Sequence, residues 1–498
     1  MAERGAGGAA RWFFAALAAT LAFRLWLAAA APITADEAYF ILWGRHPALG
    51  YYDHPPMIGW LLAPLASVSE APWVVRLPAV VVPALAALGV RAALARWFGA
   101  GDAQASLGGL AVLLAPLNVW NVLITTDTPL IFFSAASALA FARGAQRDAK
   151  AWYFAAGVLL GLAFLSKYFA VLLGVAFLVH SAMRRNPKSF GLVFLGALPF
   201  GLLNLYWNYE ACWCNVMFNA INRHEDAGFS WTTPLLYAAA LAYFAAPLLW
   251  YAWRERAALG WRDPARLALA LCWLVPLAVF AALSPVKRIG LHWLLSFLPA
   301  LAVSVALALD ERRLSRAVRF FAVLAAAHVL AAAVAASLPE ALWKKTALYG
   351  RIAFPGRIAE LLEAVAPAAR GRVLAADSYA AAAMLAYHTK AHVPVFGAGT
   401  SHARQDDLAT DWRSLEGKSF VVLRRTAPEE NEYRPYFRSV EVKRIALGGG
   451  SYHAVIGTGF DYPAYRSRLL TEIRDRYYRI PSLLPAGRCY FFERYFPG

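Results

Sequence analysis

What this chain has least of is charge. Asp, Glu, Lys and Arg make up 16% of its 498 residues, where a soluble domain carries about 25%. Acids are scarcer than bases, 31 against 48, which leaves a formal net charge of +17. That excess does not indicate nucleic acid, which needs a basic face on a soluble domain; here the basic residues of the apolar part sit mostly in short loops. Cysteine is nearly absent, with only Cys212, Cys214, Cys272 and Cys489. Cys212-x-Cys214 is too close for an easy mutual disulfide and lacks a second pair at zinc spacing. Cys272 lies in an apolar run and reads as a small core residue. One of Cys212 and Cys214 could pair with Cys489 if both faced an oxidising compartment. No internal repeat is visible, and no low-complexity tract beyond Ala/Leu-rich helices. No cleavable leader is evident, because the first apolar run, 12–32, is too long and further spans come after it.

What is there instead is hydrocarbon: 60% hydrophobic and 14% aromatic residues, with a mean hydropathy of +0.47. This is the composition of an integral membrane protein. A span needs about 20 mostly apolar residues. That ruler predicts about eleven spans, near 12–32, 76–97, 104–122, 128–143, 151–166, 168–183, 189–207, 233–253, 266–284, 291–309 and 315–337. Lys and Arg then divide unevenly. Eighteen of those before residue 338 fall at the N-terminus and in the loops on one side, among them Arg91, Arg147, Arg184, Arg254 and Arg313. Seven fall in spans or on the other side: Arg24, Arg45, Arg76, Lys167, Arg223, Lys287 and Arg288. The positive-inside rule puts the first group in the cytoplasm. Asp36, Asp53, Asp127, the loop 208–232 and the C-terminus then lie outside, which in a bacterium means the periplasmic face.

The character changes after Leu338. From there on the chain holds 23 Lys/Arg and 16 Asp/Glu and shows no run of span length. Segments 372–375 and 419–424 read as short buried strands, 378–388 as a helix and 462–479 as an amphipathic helix. The expected organisation is a transmembrane catalytic domain, 1–337, and then a small α/β periplasmic domain, 338–498. The glycines at 397, 399 and 448–450 read as loop glycines and receive no ligand.

Ionisable groups at a membrane edge are functional candidates. Asp36-Glu37 comes a few residues after the first span; adjacent helical positions point about 100° apart, so one can face a site while the other caps a helix. In Tyr51-Tyr52-Asp53-His54-Pro55-Pro56, Asp53 suits an N-cap and the prolines a first turn, with the tyrosines as interfacial anchors and 57–62 as an amphipathic surface helix. Asp127 occupies a very short outer loop, where a cap would also explain it. The cations discriminate better. Lys167 sits in a tight outer turn, and Lys287 and Arg288 in another with His292; Arg288 and His292 would share a face if helical. Cations in outer turns ask for anions, and phosphate is the natural one; snorkelling to headgroups is the bland alternative. Arg24, inside the first span, needs an acid or a polar cavity. His224, Glu225 and Asp226 are consecutive, so a solvated loop explains them better than a metal site.

In order, Asp36-Glu37-Ala38-Tyr39, Tyr51-Tyr52-Asp53-His54-Pro55-Pro56, Arg76-Leu77-Pro78, Thr126-Asp127-Thr128-Pro129, Leu165-Ser166-Lys167-Tyr168 and the basic-His loop 287–292 resemble the bacterial protein-mannosyltransferase superfamily of GT-C glycosyltransferases, near the lipid A aminoarabinose transferases. The resemblance covers 12–310. It implies a polytopic GT-C fold, a polyprenyl-phosphate-linked sugar as donor, a lipid A or lipopolysaccharide acceptor and inversion at the anomeric carbon. It implies Asp36 as general base with Glu37 beside it, and Asp127 orienting acceptor or sugar. Lys167, Lys287, Arg288 and His292 would meet the phosphate, and Tyr52, Asp53, His54, Arg76 and Tyr168 would bind substrate. Some GT-C enzymes use a divalent cation; no metal ligand is assigned here, and such a cation is left open. The alternatives are transfer to protein Ser/Thr, or a polyprenyl-glycolipid binding or transport protein without chemistry. A transporter would place its ionisable groups near the midplane in pseudo-symmetric halves, and this sequence does neither.

Overall fold

Ala, Leu and Val dominate the first two-thirds of the chain, and Ala and Leu are strong helix formers. The computed structural model, which describes residues 2–222, 228–339, 342, 357–447 and 450–497, is accordingly helical there. Among the described residues, eight helices are long and apolar enough to cross a membrane: Gly8–Ala30, Pro72–Arg96, Asp127–Arg147, Pro187–Glu210, Thr232–Arg254, Pro264–Leu283, Leu291–Ala308 and Glu311–Ser337. Two expected spans are the shorter apolar helices Lys150–Ser166 and Tyr168–Met183. The remaining one, 104–122, is broken: helix Asp102–Leu113 stops, and Pro116 opens a second, Pro116–Trp120, because proline suits a first turn but not a helix interior. The outermost helix, Glu311–Ser337, is only 11% buried over a window of mean hydropathy 2.1. An apolar surface left that bare needs an apolar solvent, which the bilayer supplies.

The chain forms two compact units. The first comprises Met1–Ala31, Ala71–Leu203 and Ala227–Ser337. Its centre is helix Asp127–Arg147, 83% buried, packed against Lys150–Ser166, Pro264–Leu283 and Leu77–Arg96. Small residues set how closely its helices approach. A Cβ on Gly157 would fall 2.1 Å from the Val193 carbonyl oxygen, and one on Gly196 would fall 2.4 Å from that of Phe154. Lys150–Ser166 and Pro187–Glu210 therefore cross nearly backbone to backbone, as glycine permits in a membrane.

The second unit comprises Pro32–Glu70, Asn204–Asp226 and Leu338–Gly498. One division falls between Ser337 and Leu338, and two earlier segments are grouped with the C-terminal region. The sheet of this unit runs β1 (Val373–Ala376), β2 (Phe420–Arg424), β4 (Gly450–Phe460), β3 (Phe437–Leu447). β1 and β2 are parallel, with Val373 opposite Phe420, and the rest is antiparallel. The two strands and the helix read from sequence are present, the helix as Tyr379–Thr389. The expected helix 462–479 is three helical pieces between Tyr462 and Tyr477, with a π-helical turn at Arg466–Leu470. The hairpin β3–β4 was not legible, because β3 is charged and mostly exposed and offers little of the alternation that marks a strand. Phe396, Trp412, Phe420, Phe437, Phe460 and Tyr465 form the aromatic core.

A disulfide joins Cys212 to Cys489, while Cys214 and Cys272 are free and buried. It ties the second segment of this unit to its C-terminal end. Removing such a cross-link typically costs about 2–4 kcal/mol, so Cys212→Ser is expected to lower the melting temperature in detergent. Reductant should lower the wild type likewise and leave the variant unmoved.

Candidate active site

Thr34 caps the helix Ala35–Arg45 of the second unit through a capping box. Its hydroxyl accepts from the Glu37 amide at 3.4 Å, and Glu37 Oε2 accepts from the Thr34 amide at 3.0 Å. Glu37 is fully buried. The ambiguity of the acidic pair is resolved locally: Glu37 is the cap, and Asp36, one position earlier, is exposed. Asp36 Oδ1 accepts a hydrogen bond of 3.1 Å from the Tyr379 hydroxyl.

Behind that pair lies a buried network. The Tyr379 ring packs edge-on against Tyr39, with centroids 5.4 Å apart, and lies tilted against His402 at 5.2 Å. His402 Nδ1 lies 3.1 Å from Asp53 Oδ2, and the Tyr39 hydroxyl donates to Asp53 Oδ1 at 3.4 Å. Asp53 is 2% exposed. Burial pushes its carboxyl up, but the His54 charge and the His402 hydrogen bond and charge outweigh that and hold it below 3.8. Asp53 does not cap the next helix, as expected from sequence. That helix starts at Met57 with Pro56 as its cap and no side-chain bond, beyond a carboxylate already engaged. Tyr51 and Tyr52 are not interfacial anchors either. Both are buried, Tyr51 stacked on Trp43 at 4.2 Å and Tyr52 accepting 2.8 Å from Asn222 Nδ2. His54 is half-buried, within ring contact of Phe40, Trp43 and Phe218. A cavity of about 400 Å³ opens among Tyr39, Trp43, Tyr51, Tyr379, His402 and Gln405.

The first unit holds a separate ionisable cluster. Lys167 Nζ lies 2.7 Å from Asp127 Oδ2, and His292 Nε2 lies 3.5 Å from the same oxygen. Asp127 is 2% and Lys167 8% exposed. The lysine ammonium also faces the Phe169 and Trp293 rings at 5.0 and 5.3 Å. Asp127 stands in the first turn of its helix, whose N-cap is Thr126, and its carboxylate meets Lys167. Tyr168 comes next, in a half-buried 3-10 turn. Arg288 is exposed, Lys287 half-buried, and 288–290 is not helical, the 3-10 turn beginning at Leu291. The i,i+4 pairing expected of Arg288 and His292 therefore does not form.

Arg24 and Arg76 serve backbone. Pro83 has no N–H to offer the Ala79 carbonyl four residues earlier, and Arg24 donates to it. Arg24 also donates to the carbonyls of Val80, Asn118 and Asn121, the last two at the end of the short Pro116–Trp120 helix. Arg76 donates to Ala28 and Ala31 at 2.9 and 2.7 Å, closing the first helix. Among the described residues no group of three or more His, Cys, Asp or Glu is placed to hold a metal ion. Arg223, His224, Glu225, Asp226 and the glycines at 448 and 449 lie outside the described residues.

Sequence reasoning missed Tyr379 and His402, which lie far beyond Asp36 in the chain and belong to no motif. The legible signal for Tyr379 was its place just after the carboxyl end of a parallel strand, where such sheets bind ligands. His402 carried none.

The chain is largely helical, with a small sheet in its C-terminal region. Over 89% of this chain and 98% of the other, it superposes on the crystal structure of ArnT from Cupriavidus metallidurans bound to undecaprenyl phosphate, with a TM-score of 0.63 and 16% identity. The apo state of the same protein gives 0.62 over 90% and 98%, again at 16% identity. Residues 53–207 match the family model for dolichyl-phosphate-mannose-protein mannosyltransferase. The lipid A galacturonosyltransferase RgtD of Rhizobium johnstonii is 29% identical over 181 residues, 35% of this chain and 38% of that protein. The aligned part thus spans well under half the length of that relative. The fold is that of ArnT, and over part of its length the chain is similar to the protein-mannosyltransferase family model and to that lipid A galacturonosyltransferase.

Asp53 yields a stability prediction with a definite sign. A carboxyl held below its ordinary value binds protons less readily folded than unfolded, so its contribution is present above 3.8 and is lost as pH falls through the folded value. Asp53→Ala, which strands Tyr39 and His402, should cost on the order of 1–3 kcal/mol at neutral pH. The gap between wild type and variant melting temperatures should close on acidification below 3.8.

Proposed function

We propose that this protein is an inverting glycosyltransferase that moves a sugar from a polyprenyl-phosphate carrier to lipid A or lipopolysaccharide at the periplasmic face of a bacterial inner membrane. One observation carries the reading: in an ArnT-like fold, an exposed carboxylate, Asp36, stands at the helix start with one oxygen held by a tyrosine. Asp36 Oδ2 accepts the proton of the acceptor hydroxyl, whose oxygen attacks the anomeric carbon of the sugar. The bond from that carbon to the carrier phosphate oxygen breaks on the opposite side, so the configuration inverts and the phosphate leaves as an anion. Preorganised cations stabilise such a leaving charge. Lys167 of the first unit, whose ammonium lies beside Asp127, is the first candidate for that role, and Lys287, Arg288 and His292 are the further candidates. Asp127 orients the lysine and, through it, the substrate.

Two observations support the periplasmic face. Basic residues crowd the opposite loops, and the Cys212–Cys489 disulfide needs an oxidising compartment. The partial likeness to a protein named as a lipid A galacturonosyltransferase favours a lipid A acceptor over protein Ser/Thr. The carrier is inferred from undecaprenyl phosphate bound to a protein of this fold.

A positioned general base is worth about 10²–10⁴-fold in rate. Asp36→Asn is therefore expected to lower transfer by that factor while inserting in the membrane at wild-type levels. Mass spectrometry of lipid A, lipopolysaccharide and periplasmic glycoproteins, from cells with and without the protein, identifies the acceptor. Full activity in Asp36→Asn removes the base, and no change in any glycan removes the enzyme.

A further inference from the structure

The C-terminal region of the second unit has no motif, and the transfer chemistry as proposed uses none of its residues except Tyr379. Its helix Tyr379–Thr389 begins immediately after the β1 strand and the turn Asp377-Ser378, so Tyr379 is the first helical residue. The far end of this helix is fastened to the segment that carries Asp36. Arg45 forms a fork with Glu70, at 2.6 and 2.8 Å, and donates from the same guanidinium to the carbonyls of Ala386 and Tyr387 at 3.0 and 3.1 Å. These are carbonyls of the last helical turn, which lack donors of their own.

The near end is fastened through rings. Tyr39 and His402 both pack on the Tyr379 ring, and each also bonds Asp53. The phenol therefore cannot swing freely. Its hydroxyl reaches Asp36 Oδ1, and among the described residues no hydrogen bond is made to Oδ2. Burial, and then the Asp36 charge, push the Tyr379 phenol well above its ordinary value, so it remains a donor at any working pH.

We propose that Tyr379 is the positioning residue of the general base: its hydroxyl fixes the Asp36 carboxylate by one oxygen and leaves the other directed at the acceptor. This rests on Asp36 being the base, and it gives the C-terminal region a role in transfer. An aspartate carboxyl turns easily about its last torsion, which has broad minima. One donor on a rigid ring removes that freedom, and a misplaced catalytic group can cost about 10²-fold. Asp53, buried two contacts behind the base, then acts by seating the rings rather than by touching sugar.

The test is steady-state transfer by the full-length protein in detergent or nanodiscs, with polyprenyl-phosphate sugar as donor and purified lipid A as acceptor. Tyr379→Phe keeps the ring and its contacts and removes only the hydroxyl. Its kcat should fall about 10–100-fold with both KM values unchanged. In an Asp36→Asn background the same change should do nothing further, because the two act as one unit. Tyr387→Phe, on the same helix, removes a hydroxyl that bonds the Glu70 carbonyl and should leave kcat intact. Wild-type kcat in Tyr379→Phe overturns the proposal. So does a rise in acceptor KM at unchanged kcat, which would make Tyr379 a wall of the neighbouring cavity. A full additive loss in the double variant overturns it too. If Asp36→Asn alone stays active, the base assignment has failed instead, and that arm reports it separately.

Discussion

A polar group inside an apolar solvent can bond only to protein. In a chain with 16% charged residues this requirement governs where each ionisable side chain ends up. Arg24 lies in the first span and finds carbonyls released by a proline and by a helix end. Arg76 closes the last turn of that same helix. Lys167 and Asp127 meet each other. None of these is an ornament on a finished helix. Breaks at Pro83 and Pro116 and the cations that answer them are parts of one arrangement, since an unsatisfied backbone group in hydrocarbon costs several kcal/mol.

The same logic holds in the second unit. Asp53 is fully enclosed, and its charge is held by His402 and His54 while Tyr39 spends its hydroxyl on it. Half-satisfied networks of this kind are costly, and satisfied ones rigidify what they touch. What they touch here is the ring of Tyr379. The proposed catalytic carboxylate is thus exposed, but it stands on a rigid support two contacts deep. Glu37, its chain neighbour, commits its Oε2 to the helix cap, which fixes the start of the helix and so the place of Asp36.

Residues that look alike in sequence separate by what encloses them. Asp36, Asp53 and Asp127 are all acids in segments between apolar runs, and each suited a helix cap. The cap in fact went to Glu37. Asp53 became the anchor of a ring cluster and Asp127 the partner of a lysine, while the next helix start takes Pro56 as its cap. Likewise Tyr51 and Tyr52 read as interfacial aromatics and are instead core. Aromatic residues suit both settings, and only packing distinguishes them.

The sequence by itself determined the helical, membrane-spanning character of the chain, most of its long apolar helices, and two strands and a helix beyond residue 338. Those depend on local quantities: run length, hydropathy and turn residues. Tertiary structure alone decided that segments 32–70 and 204–226 belong with the C-terminal region, that Cys212 pairs with Cys489, and that Tyr379 and His402 stand by Asp36 and Asp53. Each of those joins residues far apart in the chain. No local pattern encodes such a meeting; it depends on how whole faces pack, and packing is a property of the folded chain.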